Sequence, residues 1–145
     1  MMNTGKTMPI VLVAGCGLYG GCIASQLDQS GESVVVVDLD QQAFDRLAPN
    51  YTGVTVVGDA SDIEVLRFCG IGKSKAVISV TNNDNVNLMI AQIASEIYEV
   101  PMVIAKVSDP AQLNIETMMN MTIHCPALAM SQVVMDSLVP KEGRK

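Results

Sequence analysis

The chain has no tryptophan, two phenylalanines, three tyrosines and one histidine among its 145 residues. So few rings leave no platform for stacking single-stranded bases. One histidine and four cysteines, none of them in a Cys-x-x-Cys pair, make a zinc site improbable. Nine Lys and Arg against fifteen Asp and Glu give a net charge of −6. That balance argues against a nucleic-acid footprint or an anionic-lipid anchor, since both need clustered cations. No apolar run approaches the roughly 20 residues of a membrane span, so direct membrane insertion is not expected. No Ser-His-Asp set, no Lys-Tyr proton relay and no paired carboxylates in a plausible pocket can be assembled. His124, the lone imidazole, reads as structural.

What the chain does have is an apolar core composition, 49% hydrophobic with 17% charged residues. At this length it forms one domain able to bury about 70% of its unfolded surface. Residues 1–8 read as a disordered leader, 9–138 as the domain and 139–145 as a tail. The organising stretch is Pro9 to Gly20, a short apolar run that turns through Gly15, Gly17 and Gly20 into a helix. Gly-x-Gly-x-x-Gly between strand and helix is the dinucleotide-binding fingerprint. The first glycine allows the tight turn, the second admits a pyrophosphate to the backbone, and the third lets helix pack on strand. The free N–H groups and partial positive charge of the helix start then face the phosphates. The run from Lys6 to Cys16 also resembles a lipoprotein signal, but cleavage there would remove the first strand of an unbroken pattern.

Strands are predicted at about 9–14, 33–37, 53–57, 76–80, 102–107 and 121–124. Helices follow the glycines to about Ser30, then at about 41–48, from a Ser61-x-x-Glu64 capping box to Cys69, and at 84–97. A further helix opens at Asp109-Pro110, and a last one runs from Pro126 until Pro140 stops it. Tyr19, Ile23 and Leu27 mark the inner face of the first helix, and Gly31 its cap. Val86, Ile90, Ile93 and Ile97 mark that of the 84–97 helix. Strands alternating with helices predict an α/β, Rossmann-like, doubly wound parallel sheet of six strands in a single domain. The ligand crevice lies where its two halves meet.

Asp38 ends the second strand 18 residues after Gly20, the spacing that brings a carboxylate to the ribose hydroxyls. It would repel a 2′-phosphate, and no Arg or Lys follows closely, which disfavours NADP. Asp59 and Ala60 end the third strand on the same sheet edge, where they meet adenine or simply form a turn. Thr81 and Asn82 end the fourth, placed either for ribose and phosphate or for helix capping. Cys16, Cys22, Cys69 and Cys125 read as buried small hydrophobes. The last helix carries Leu128, Met130, Val133, Val134, Met135 and Leu138, more apolar surface than a peripheral helix needs. Part of it should pack on the sheet and part should meet a partner. The ten methionines suit either adaptable contacts or ordinary core filling.

Val13-Ala14-Gly15-Cys16-Gly17-Leu18-Tyr19-Gly20, Val35-Val36-Val37-Asp38-Leu39-Asp40 and Gly53-Val54-Thr55-Val56-Val57-Gly58-Asp59-Ala60 together resemble the RCK or KTN domain, the nucleotide-binding regulator of potassium channels and transporters. Val65-Leu66-Arg67, Gly70-Ile71, Ala76 to Thr81, Asn85-Val86-Asn87-Leu88 and Ile104 to Pro110 extend the likeness over about 9–138. The resemblance implies a cytoplasmic, non-enzymatic regulator, peripheral at the inner face of the cell membrane through its partner. It implies binding of NAD(H) first, with AMP, ADP or ATP as alternatives, and ligand-dependent hinging that gates a membrane-embedded K⁺ channel or transporter subunit. It also implies a homo-oligomer, a dimer or larger, formed through the helix at 126–138. The binding residues it implies are Gly15, Gly17, Leu18, Tyr19, Gly20, Asp38, Leu39, Asp59, Ala60, Thr81, Asn82 and Lys106. Three features depart from the pattern: Leu18 replaces an arginine that reaches the phosphates, Lys106 replaces an arginine, and the C-terminal lobe is absent. Losing the arginine favours NAD(H) or a monophosphate over ATP. The competing readings are a small NAD-dependent oxidoreductase or redox sensor using Cys16 or Cys22, and the detached domain of a larger antiporter or exopolyphosphatase-like protein.

Overall fold

The central strand, β1 (Ile10–Ala14), is hydrophobic throughout because both of its faces are covered. Val11 and Val13 point to one side and Leu12 and Ala14 to the other, each set joining a separate core. The computed structural model describes residues 8–113 and 120–139. Most of the expected leader and tail therefore lies outside the described residues.

From β1 the chain passes through α1 (Leu18–Gln29) to β2 (Ser33–Asp38), then through a 3-10 turn at Gln41–Arg46 to β3 (Val54–Val57). The second half runs α2 (Ile63–Cys69), β4 (Ser74–Ser79), α3 (Asp84–Gln92), β5 (Met102–Lys106), β6 (Thr122–His124) and α4 (Pro126–Leu138). The sheet order is β3-β2-β1-β4-β5-β6 with every pair parallel. This is the doubly wound order, and its strand order reverses between β1 and β4. The fold class read from the sequence is the one observed. α1 and the 3-10 turn cover the Val11/Val13 face, while α2 and α3 cover the Leu12/Ala14 face.

Several local details differ from expectation. The buried face of α1 is Gly20, Gly21, Ala24 and Ser25, whereas Tyr19 stands 44% exposed and Ile23 and Leu27 are only half-buried. Close helix–strand packing puts the small residues deepest; Ile23 and Leu27 pack against the same core beside them, and only Tyr19 of the expected stripe falls outside it. Gly31 closes α1 as expected. It takes φ +94° while its N–H bonds Asp28 O and that of Glu32 bonds Leu27 O, the paired pattern of a Schellman cap. The cap of α2 is Asp62, whose carboxylate accepts from Glu64 N, and not Ser61, whose hydroxyl donates to Asp59.

The expected helix at 84–97 keeps α geometry only to Gln92. Ile93–Ile97 then widens to a π turn, leaving Ile97 exposed. The turn opened by Asp109-Pro110 begins as foreseen, with Ala111 N donating to the Asp109 carboxylate, and past residue 113 it lies outside the described residues. Cys22 is exposed rather than buried, and His124, at the end of β6, is exposed as well. Finally, no residue of α4 is buried, so it does not pack on the sheet of its own chain.

Candidate functional site

At the carboxyl ends of β1 to β4 lies a cleft of about 740 Å³. Its floor is the glycine turn. Gly15 takes φ +100°, and a Cβ there would stand 2.9 Å from Thr81 N. Gly20 packs on that turn so closely that a Cβ would lie 1.8 Å from Gly15 O, whereas nothing stands within 4 Å of the Cβ position of Gly17. Two glycines thus serve close packing and the third leaves open space. Gly17 caps α1 without a side chain, and no acidic residue occupies its first turn, so the helix start keeps its free N–H groups and positive end.

The turn is held by strand ends on both sides. Gly15 N bonds Val37 O at 2.8 Å, and Val80 N bonds Ala14 O at 2.8 Å. Asp38 then ties β2 to the turn: its Oδ2 accepts from Cys16 N at 2.7 Å and its Oδ1 from Asp40 N at 2.8 Å. Each carboxylate oxygen has two lone-pair directions, so both retain capacity for a hydroxyl. Asp59 accepts from Ser61 N at 2.9 Å and Ser61 Oγ at 2.6 Å, and these bonds hold its carboxyl below the usual range.

Across the crevice, Thr81 is positioned by Asn87, a fully buried residue on α3. Asn87 Oδ1 accepts from Thr81 N at 2.8 Å and Thr81 Oγ1 at 2.6 Å. Its Nδ2 donates to Thr81 O and Lys106 O, each at 3.0 Å. All four amide bonds are made, locking the ends of β4 and β5 together. Asp84, at the start of the same helix, accepts from Ser108 N and Asp109 N and fixes the loop after β5.

Of the residues singled out from the sequence, Gly15, Gly17, Asp38, Leu39, Asp59, Ala60, Thr81 and Asn82 line this one cleft. Leu18, Tyr19, Gly20 and Lys106 do not. Leu18 is exposed on the first turn of α1. Lys106 is 7% exposed, its Nζ 5.1 Å from the centroid of the Tyr19 ring, a cation–π pairing. Asn87 and Arg46, the latter lining the cleft from the 3-10 turn, carried no signal by spacing. Their roles arise from contacts between segments distant in sequence.

Cys16 also lines the cleft, but its thiol is buried, and burial followed by the Asp38 carboxylate pushes its pKa to about 11. It is therefore a neutral thiol at physiological pH rather than a reactive thiolate. Among the described residues no group of His, Cys, Asp and Glu is arranged to hold a metal ion, and no helix is long and apolar enough to cross a membrane.

Residues 11–124 match the model of the TrkA-N domain. The Trk system potassium uptake protein TrkA of Streptomyces coelicolor is 34% identical over 105 residues, covering 72% of this chain and 47% of that protein. The chain thus spans about half the length of that relative. Among solved structures, the TrkA-N domain of the inner membrane protein ybaL from Escherichia coli superposes with a TM-score of 0.79 at 18% identity, over 92% of this chain and 99% of that one. The NAD-bound GsuK channel does so with a TM-score of 0.67 at 16% identity, over 83% of this chain and 22% of that one, and other neighbours of this fold hold ADP and AMP. The glycine turn, the six-stranded order and the matched span agree, and the chain belongs to the TrkA-N domain family.

Proposed function

We propose that this domain is a nucleotide-sensing regulator of a potassium channel or transporter, working by ligand-biased conformational change and not by catalysis. The observation that carries the reading is the cleft itself. An uncapped helix start, an open Gly17 and the Asp38 carboxylate converge on one 740 Å³ space large enough for a nucleotide. The ligand is NAD(H) or an adenine nucleotide, consistent with the NAD, ADP and AMP held by neighbours of this fold. Its pyrophosphate or phosphate lies over Gly17 at the start of α1, its ribose hydroxyls bond Asp38, and its adenine meets Asp59 and Ala60. Thr81 and Asn82 approach from the other side of the crevice. Leu18, Tyr19, Leu39 and Lys106 border the phosphates and ribose in this reading, with Lys106 reached when its pairing with Tyr19 opens.

The exposed apolar surface of α4 supports a homo-oligomer. Leu128, Val133, Val134 and Met135 lie on a helix with no buried residue, and a second copy removes them from water. Paired copies convert closure around the nucleotide into a change of relative orientation, which a membrane-embedded partner at the inner face of the cell membrane reads as a gating signal. The redox-sensor reading is disfavoured at Cys16 by its neutral, buried thiol and at Cys22 by its place outside the cleft lining.

Calorimetry with NAD⁺, NADH, AMP, ADP and ATP, paired with K⁺ uptake in cells carrying wild-type or Asp38→Ala protein, tests the proposal. Binding of NAD(H) or AMP together with altered uptake in the variant is expected. Absence of binding by all five nucleotides, or turnover of NADH with simple carbonyl compounds, overturns it.

A further inference from the structure

Three carboxylates, Asp38, Asp40 and Asp59, line the cleft, and among its described lining residues Arg46 alone carries positive charge. A wall of that composition repels phosphate, and the helix start offers only about half an elementary charge against it. A full cation close to the first turn of α1 would offset that repulsion and strengthen anion binding beyond what the free N–H groups give. Arg46 is placed to supply it. A Cβ on Gly21 would stand 2.9 Å from the Arg46 Cβ, so the helix surface is flush with the stem of this residue. The flanking backbone is tied down as well: Ala48 N donates to Ser25 Oγ at 2.9 Å, and the Asp40 carboxylate caps Gln42 N at 2.9 Å. The stem is therefore fixed while the guanidinium stays exposed, with no ion pair to any described carboxylate. Its positive charge reaches the turn, since it opposes the upward push of burial and Asp38 on the Cys16 thiol.

We propose that Arg46 is the phosphate-binding cation of the cleft, engaging the 5′-phosphate chain of the nucleotide beside the start of α1 and limiting how many phosphates the site accepts. This rests on the nucleotide reading of the cleft. The planar fork of a guanidinium matches two phosphate oxygens at once. One such group offsets the single charge on one phosphate of a dinucleotide and, together with the helix start, most of the charge of a monophosphate. The further charges of a triphosphate face Asp38, Asp40 and Asp59 uncompensated.

The test compares wild-type protein with Arg46→Gln and Arg46→Lys, titrated with adenosine, AMP, ADP, ATP and NAD⁺ by calorimetry and, for weak ligands, by NMR shifts. Arg46→Gln should weaken AMP and NAD⁺ by about 10- to 100-fold, the worth of a hydrogen bond to a charged group, and change adenosine by less than about two-fold. Arg46→Lys should recover part of the loss, and the fall of AMP affinity with added salt should be shallower in Arg46→Gln. An Arg46→Gln protein that binds AMP like wild type overturns the inference. So does one that loses adenosine as much as AMP, because that marks a packing role. Where adenosine binds neither protein measurably, an unchanged salt dependence overturns it. A wild-type protein that binds none of the nucleotides refutes the cleft reading itself, an outcome distinct from these.

Discussion

The Asp38 carboxylate accepts the backbone N–H of Cys16 at 2.7 Å, joining the end of β2 to the middle of the glycine turn. The residue proposed to hold the ribose therefore also shapes the floor beneath the phosphates. Asp38→Ala should weaken nucleotide binding by about 1–3 kcal/mol through lost hydrogen bonds to a charged group. It should also lower stability by about 1–3 kcal/mol, because Cys16 N is left without its acceptor. Calorimetry and urea melts separate the two effects; unchanged affinity with lowered stability would reduce Asp38 to a structural tie.

Gly20 faces Gly15 O with no room for a methyl group. Gly20→Ala should force β1 and α1 apart, costing about 1–3 kcal/mol as overpacking does, and should abolish the cradle even in protein that stays folded. Thermal melts and nucleotide titration of the same sample give both readouts. Gly17→Ala is the control, since open space surrounds its Cβ position and stability should barely change.

Asn87 makes four hydrogen bonds while fully buried. Asn87→Leu strands the N–H of Thr81 and the carbonyls of Thr81 and Lys106, so a loss of about 3–5 kcal/mol is expected from broken buried bonds. Asn87→Asp keeps the two bonds accepted from Thr81 but turns a carboxylate oxygen on the Thr81 and Lys106 carbonyls in a buried site. At neutral pH it should be destabilised at least as much as by a lost buried bond, and it should recover as the carboxylate is protonated at lower pH. Chemical denaturation of the three proteins gives the order.

Three of the thiols should separate by reactivity. Burial and Asp38 raise the Cys16 pKa to about 11, so at pH 8 only about one molecule in a thousand carries the thiolate there. Burial likewise raises Cys69 to about 11. Iodoacetamide at pH 8 should therefore label exposed Cys22 first and leave Cys16 and Cys69 unmodified, as read by peptide mass mapping. Rapid labelling of Cys16 would revive the redox-sensor reading.

On α4, Val134→Asp should lower the oligomeric state measured by light scattering, because a charge then sits within the exposed apolar helix face. A parent protein that is monomeric at all concentrations removes the proposed interface.

The six parallel strands were legible because strands buried on both faces read as unbroken β-branched runs, as Val34 to Val37 do, and the glycine turn by its spacing. The cap at Gly31 was legible because it depends on neighbours only. The buried face of α1 was legible in part: Ile23 and Leu27 do pack against the core, but contact distance puts Gly20, Gly21 and Ala24 deepest and leaves Tyr19 outside. Ser61 and Glu64 match a capping box by spacing, but the nearby Asp59 carboxylate claims the Ser61 hydroxyl. Within the site, Asp38 announced itself by its distance from Gly20. Asn87 and Arg46 did not, since their partners lie on segments that only folding brings near.

The placement of β1 between β2 and β4 also sets an order of events during synthesis. Ile10 pairs with Ser33 on one side and with Ser74 on the other, so one edge of β1 finds its neighbour long before the second exists. Until β4 leaves the ribosome, Ala14 O lacks its Val80 N donor and Gly15 has no Thr81 beside it. A nascent chain or fragment ending near residue 73 therefore holds the whole glycine sequence yet has no finished cradle. The proposed cradle is therefore complete only once the second half of the sheet is in place.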